Sequence, residues 1–205
     1  MEISYIGHSC FKIDSKGRSI VLDPYKDGSV PGLSPVREKA DAVFCSHGHG
    51  DHNAKECVEL TGEAVDPLAV TTFKTWHDDA KGALRGANLI TAIDDGEFRL
   101  VHLGDLGCRL SDEEIAALGH VSCLLIPVGG YYTIDAELAA QTAERIGADV
   151  TVPMHFRGET FGYDVIGPVG SFLKHFDNIE NKGASSYRLE AGEGRKVVLL
   201  SPRNK

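Results

Sequence analysis

Three imidazoles and a carboxylate fall within six residues, His47-Gly48-His49-Gly50-Asp51-His52, and nothing else in the chain limits its fold and chemistry as much. On an α-helix a spacing of two would send His47 and His49 to different faces. The interleaved glycines argue against a helix and let the backbone curl, so the side chains can converge. Histidine nitrogen with carboxylate oxygen suits zinc, iron, manganese or nickel, and four donors in so short a span exceed the usual three of a mononuclear catalytic zinc. Two ions fit better than one. The plain alternative is a solvated polar loop or an adventitious metal trap. The position of the run argues against it, because it directly follows the apolar stretch 42–46 and α/β proteins place ligands at strand ends.

The rest of the chain supplies a frame for such a loop. Ile3-Ser4-Tyr5-Ile6, Cys10-Phe11-Lys12-Ile13 and Arg18-Ser19-Ile20-Val21-Leu22 read as three short strands of a meander, the last two separated by the turn Asp14-Ser15-Lys16-Gly17. Residues 26–36 hold too many breakers for regular structure and form a surface loop. A buried strand over 42–46 and a short helix over 53–60, capped by Asn53, flank the histidine run. Further strands are predicted at 69–73, 88–93, 98–103, 123–127, 149–152, 186–189 and 196–200, and helices at 111–118, 135–146 and 169–175. The helix at 111–118 opens with a capping-box pattern and that at 135–146 ends at Gly147. An early meander followed by alternating β and α, with more strands than helices, predicts two mixed sheets packed face to face with helices outside, in a single domain over 1–205.

Composition excludes several classes of function. The 205 residues carry 21 basic and 30 acidic side chains, a formal charge of -9, which repels phosphate backbones, and no basic run reverses it. Nucleic acid is therefore not expected as a partner, whereas a small anionic molecule stays compatible because bound divalent ions offset charge locally. Five cysteines without CxxC pairing argue against a disulfide framework. No leader-like start and no run of 18 apolar residues predicts a cytoplasmic protein with no membrane span.

The run HxHxDH at a strand end, together with Tyr5-Ile6-Gly7-His8-Ser9-Cys10-Phe11, Leu22-Asp23-Pro24, Pro127-Val128-Gly129-Gly130 and Pro153-Met154-His155-Phe156, resembles the metallo-β-lactamase superfamily. It looks like the branch of small bacterial metal-dependent hydrolases related to ascorbate-6-phosphate lactonase. The resemblance covers nearly the whole chain and implies a four-layer αββα sandwich. It also implies a dinuclear site: His47, His49 and His77 on one ion, Asp51, His52 and His155 on the other, and Asp105 shared, with Asp51 and Asp105 the carboxylates at the chemistry. His102 rivals His77, but three residues before Asp105 on a strand its side chain should face the other way. Asp23, ending an apolar run, is expected to orient a ligand histidine or hold the loop. His8 lines the pocket or packs in the core, and Tyr131 offers a phenol to a substrate or leaving group. His120 and His175 read as surface residues, and Trp76 as core.

Two divalent ions, zinc first and manganese, iron or nickel as alternatives, would lower the pKa of a bridging water from about 15.7 to about 7 and polarise the scissile group. The expected activity is hydrolysis of a small ester, lactone or phosphodiester, anionic or phosphorylated. No Gly-x-Ser-x-Gly elbow competes with this reading. An iron-dependent redox or oxygenase enzyme on the same fold and a metal-binding protein without catalysis are the alternatives. Assembly into a homo-oligomer is compatible with the resemblance, but no apolar stripe indicates one.

Overall fold

The computed structural model describes residues 1–192 and 194–205. Its strands, in chain order, are β1 (Glu2–Gly7), β2 (Cys10–Ser15), β3 (Arg18–Leu22), β4 (Glu38–Ala40), β5 (Ala42–Phe44), β6 (Val58–Leu60), β7 (Ala69–Trp76), β8 (Ala87–Asp94), β9 (Arg99–His102), β10 (Cys123–Pro127), β11 (Val150–Met154), β12 (Ile179–Asn181), β13 (Ser186–Arg188) and β14 (Lys196–Leu199). Three helices, α1 (Asp112–Leu118), α2 (Ala136–Ile146) and α3 (Gly170–Leu173), all lie in the second half of the chain. Among the described residues, no helix is long and apolar enough to cross a membrane.

The strands form two mixed sheets, as expected. One has five strands in the order β13-β1-β2-β3-β5, the other seven in the order β12-β14-β11-β10-β9-β8-β7, and a parallel pair, β4 and β6, stands apart. Ile3, Tyr5, Phe11 and Ile20 of the first sheet and Ile90, Leu100, Leu124 and Val152 of the second belong to one buried cluster, so the sheets share a core. β10 and β11 are buried along their whole length and pair in parallel, which is why they read as continuous apolar runs rather than alternating ones.

Local signals place the helix ends correctly. Ser111 caps α1 in a complete capping box with Glu114, and Asp135 accepts the Leu138 N–H at the start of α2. Gly147 ends α2 in the left-handed conformation. Elsewhere the structure differs from expectation. The helix predicted over 53–60 is one 3-10 turn, Lys55–Cys57, followed by β6, and no side chain caps it. A segment that short cannot recover the cost of nucleating a helix, and pairing with β4 gives Val58–Leu60 its hydrogen bonds instead. β5 is half-buried rather than buried, because it is the edge strand of its sheet. The weak helix over 169–175 is a single turn.

Topology then decides where chemistry can occur. β2 runs antiparallel to β1 and β3, and β5 runs parallel to β3, so β1, β3 and β5 end at the same edge of the five-stranded sheet. In the other sheet β8 is antiparallel to β7 and β9, and β9, β10 and β11 are parallel, so β7, β9 and β11 also end together. His8, Asp23 and the His47–His52 loop follow the first three ends, and His77, Asp105 and His155 follow the second three.

Candidate metal centre

The loop after β5 is held open toward this edge by backbone bonds. Ser46 O accepts the Leu89 N–H (2.9 Å), His52 N–H closes a turn onto His49 O (3.0 Å), and Gly50 O accepts the Lys26 N–H (2.8 Å) from the 26–36 loop. Curled this way, one segment supplies four side chains to the same edge.

All seven residues implied by the resemblance converge. Donor atoms of His47, His49 and His77 lie within 4.8 Å of one another, and so do those of Asp51, His52, His155 and His8. Asp105 stands between the groups: its Oδ2 is 3.2 Å from His52 Nε2, 3.4 Å from His77 Nε2, 3.4 Å from His155 Nε2 and 3.9 Å from His47 Nε2. Asn88 fixes Asp105 by accepting its N–H (2.9 Å) while donating to Leu103 O and Thr75 Oγ1. His49 is exposed at the mouth, whereas His52, His77, Asp105 and His155 are buried.

The donor set suits divalent ions. His47 Nε2, His52 Nε2, His77 Nδ1, both His155 nitrogens and Asp105 Oδ1 are buried with no hydrogen-bond partner among the described residues, a costly arrangement unless a ligand supplies the missing interaction. Burial, and next His52, push His47 down to about 3, and burial lowers His77 as well, so both present the neutral imidazole that a metal requires. Burial opposes charge on His52 and Asp105 too. There Asp105 and Asp23 outweigh it and raise His52 well above the imidazole range, while His155 and His52 hold Asp105 well below the carboxylate range.

His102 is not available to this centre. Its Nε2 donates to Ser9 O (2.9 Å) and its Nδ1 accepts the Gly104 N–H (3.0 Å), so both ring nitrogens are already used inside the core. Asp23, at the end of β3, bonds both to the loop and to one of its histidines. Its Oδ1 accepts the Ser46 N–H (2.6 Å), and its Oδ2 accepts the Ser46 hydroxyl (2.6 Å) and His52 Nδ1 (2.8 Å). Ser46 Oγ in turn lies 2.9 Å from His47 Nδ1. Because the Ser46 proton goes to Asp23, His47 Nδ1 is the donor in that bond, and Nε2 is the nitrogen that both histidines turn toward Asp105, open to a metal once His52 gives up its second proton.

Other expectations are corrected. Tyr131 is 64% exposed and its ring meets only Tyr132 among the described residues. Tyr163 is the tyrosine that stands beside the centre: its hydroxyl lies 2.8 Å from Ser29 O and 3.3 Å from Asp51 Oδ2, and its ring is 5.5 Å from His8. Burial and the Asp51 carboxylate raise its phenol above the usual range, which keeps the proton on. Tyr163 carries no local motif, and only the fold brings it to Asp51. Trp76 is half-buried rather than core, flanked by Lys74, whose Nζ is 5.0 Å from its ring. His120 and His175 are exposed, as expected.

The loop after His77 is built around Asp78, whose carboxylate accepts the N–H groups of Ala80, Gly82, Leu84 and Arg85 at 2.7–3.0 Å. Backbone passes close beneath it. A Cβ on Gly107 would lie 2.3 Å from the His77 carbonyl carbon and 2.4 Å from its oxygen. Gly107→Ala is therefore expected to push His77 out of place and to destabilise the fold by roughly 1–3 kcal/mol, the range for overpacking, read as a lower urea midpoint at unchanged slope.

Comparison with known proteins gives the family. The beta-lactamase superfamily domain matches residues 2–155. A metal-dependent hydrolase of Bacillus cereus is 30% identical, over 94% of this chain and 98% of the relative. The crystal structure of a metallo-beta-lactamase superfamily protein from Thermotoga maritima superposes with a TM-score of 0.80 at 30% identity, covering 97% of both chains. Igni18, a metallo hydrolase from Ignicoccus hospitalis, shares the fold with a TM-score of 0.65 at 20% identity, over 98% of this chain and 95% of that one. The chain thus belongs to the beta-lactamase superfamily, as one of its metal-dependent hydrolases.

Proposed function

We propose that the protein is a dinuclear metal-dependent hydrolase of a small anionic substrate, an ester, lactone or phosphodiester. His47, His49 and His77 would hold one ion, Asp51, His52 and His155 the other, and Asp105 would bridge them. The observation that carries this reading is the position of Asp105 Oδ2, within 3.9 Å of imidazoles from both groups. When bound, the ions supply an activated water and a Lewis acid for the scissile oxygen.

The chain's own residues do the rest. Asp23 and Ser46 hold His52 and His47 in the tautomer that presents Nε2. Tyr163, protonated, shares its one hydroxyl proton between Ser29 O (2.8 Å) and Asp51 Oδ2 (3.3 Å), so it steadies that carboxylate and borders the space a substrate enters. Arg85 supports the anionic substrate. Its guanidinium lies 5.7 Å from the ring of Tyr132, which is 6.0 Å from Tyr163, and its backbone N–H binds Asp78 beside His77. Among the described residues no carboxylate pairs with its guanidinium. A formal charge of -9 supports a small molecule over a nucleic acid, and zinc, manganese, iron and nickel all suit the nitrogen and oxygen donors.

Chelation should abolish hydrolysis across a panel of lactones, esters and phosphodiesters, and added zinc or manganese should restore it. Turnover that persists in metal-free protein would sink the reading. Arg85→Ala is expected to raise KM for an anionic substrate about tenfold with kcat little changed, the low end for a charge-assisted hydrogen bond. An equal rise for a neutral analogue would show that Arg85 does not read charge.

A further inference from the structure

His8 is buried beside the proposed centre, and among the described residues none forms a hydrogen bond with its ring. It is 1% exposed, and neither ring nitrogen has a hydrogen-bond partner among the described residues. Its Nε2 is 3.4 Å from Asp51 Oδ2, outside hydrogen-bond geometry, and its ring centre is 4.1 Å from His155 and 5.3 Å from His52. The backbone is strained to put it there. His8 has φ +56°, in the left-handed region that non-glycine residues rarely enter. Two hydrogen bonds grip its carbonyl in that conformation, one from Tyr5 Oη (3.0 Å) and one from the N–H of His155 (3.0 Å).

His102 shows what a packing histidine looks like in this protein, with both ring nitrogens bonded to backbone. His8 is as buried and has neither. An unsatisfied buried polar group costs about 1–3 kcal/mol, and strain of this kind persists where the surroundings demand it, most often at functional sites. The donor atoms of His8, Asp51, His52 and His155 all lie within 4.8 Å of one another, close enough to surround a single ion.

We infer that His8 is a fourth protein ligand of the ion held by Asp51, His52 and His155. The inference rests on the two-ion reading above and makes its two sites unequal. The His47–His49–His77 ion has three ligands of its own plus Asp105, and keeps room for water and substrate. The other ion has four plus Asp105, one more than the tetrahedral set of structural zinc, and suits a metal that takes five or six ligands. His8 also ties β1 to that ion, so its binding clamps the first sheet against β11 of the second.

Cobalt(II) titration of metal-free protein tests this, following stoichiometry, visible absorption and melting temperature. Wild-type protein should take up two ions. In His8→Asn, chosen because Asn tolerates the left-handed conformation, the first ion should bind as before. The second should bind at least about tenfold more weakly, the lower figure for loss of even an indirect metal partner, and absorb more strongly as its coordination number falls. The metal-free melt should hold, since an unsatisfied imidazole has been removed. A packing role predicts the reverse, a lower metal-free melt with unchanged metal binding. Two ions bound to His8→Asn with wild-type affinity and spectrum overturn the proposal but leave the two-ion reading standing. Fewer than two in the wild type overturn both. Should His8→Asn fail to fold, the cobalt-loaded wild type still decides: paramagnetically shifted imidazole N–H resonances should include one from His8, and its absence overturns the proposal.

Discussion

Asp105→Ala is expected to lower kcat/KM by at least about 10³-fold and to reduce bound metal from two ions per chain to one or none. Among the described residues, Asp105 is the one carboxylate whose Oδ2 approaches His47 and His77 on one side and His52 and His155 on the other. Without it neither proposed ion keeps its bridging ligand. Stabilisation of developing charge by a metal is worth several kcal/mol, and each 1.36 kcal/mol is tenfold in rate, so losing one ion accounts for about three orders of magnitude. Stability should respond separately. In metal-free protein Asp105 and His52 form a buried pair of opposite charge. Removing one partner of such a pair costs about 3–5 kcal/mol, and the low end applies because His52 keeps Asp23. Asp105→Asn separates the two effects, since it preserves volume while removing charge. Metal content and kcat/KM for both variants, with a metal-free melt of each, check the prediction. Two retained ions and activity within tenfold of wild type would contradict it.

The sequence revealed the parts of this site that are local. The glycine-spaced run His47–His52 needs only its own backbone to converge, and Asp23 stands out because a carboxylate at the end of Ile20-Val21-Leu22 must find a partner. The same holds for α1 and α2, whose caps are encoded within a few residues of each end. What stayed hidden depends on long-range placement. Tyr163 reaches Asp51 across 112 residues, and the turn after Gly129 points Tyr131 outward while Tyr163 comes in from a later loop. The Asp78 clamp involves neighbours, but its four bonds go to backbone N–H groups, which no side-chain pattern announces. β6 was misread as helix because its partner, β4, lies 20 residues upstream. The two readings of His8, pocket or packing, are separated by its unpartnered nitrogens, a property only three-dimensional structure displays.

Asp23→Asn should weaken both proposed ions at once, although Asp23 touches neither group of donors through more than one histidine. Its Oδ2 accepts two protons, from Ser46 Oγ (2.6 Å) and His52 Nδ1 (2.8 Å). With an amide NH2 in that position, both partners must become acceptors. His52 then carries its proton on Nε2, the nitrogen 3.2 Å from Asp105. Ser46, no longer donating to residue 23, can donate to His47 Nδ1 (2.9 Å), which moves the His47 proton to Nε2 as well. Both metal-facing nitrogens are thereby blocked. Turning the amide over restores Oδ2 but sets NH2 against the Ser46 N–H, now 2.6 Å from Oδ1, and leaves a buried donor unsatisfied at about 1–3 kcal/mol. Loss of a group that orients a metal ligand typically costs 10- to 100-fold in affinity, and that range is expected for each ion in zinc titrations against a competing chelator. Ser46→Ala serves as the partial case: it should weaken the ion beside His47 and spare the ion beside His52, which keeps its direct bond to Asp23. If Asp23→Asn binds both ions as tightly as wild type, the tautomers of His47 and His52 are set by something other than this carboxylate.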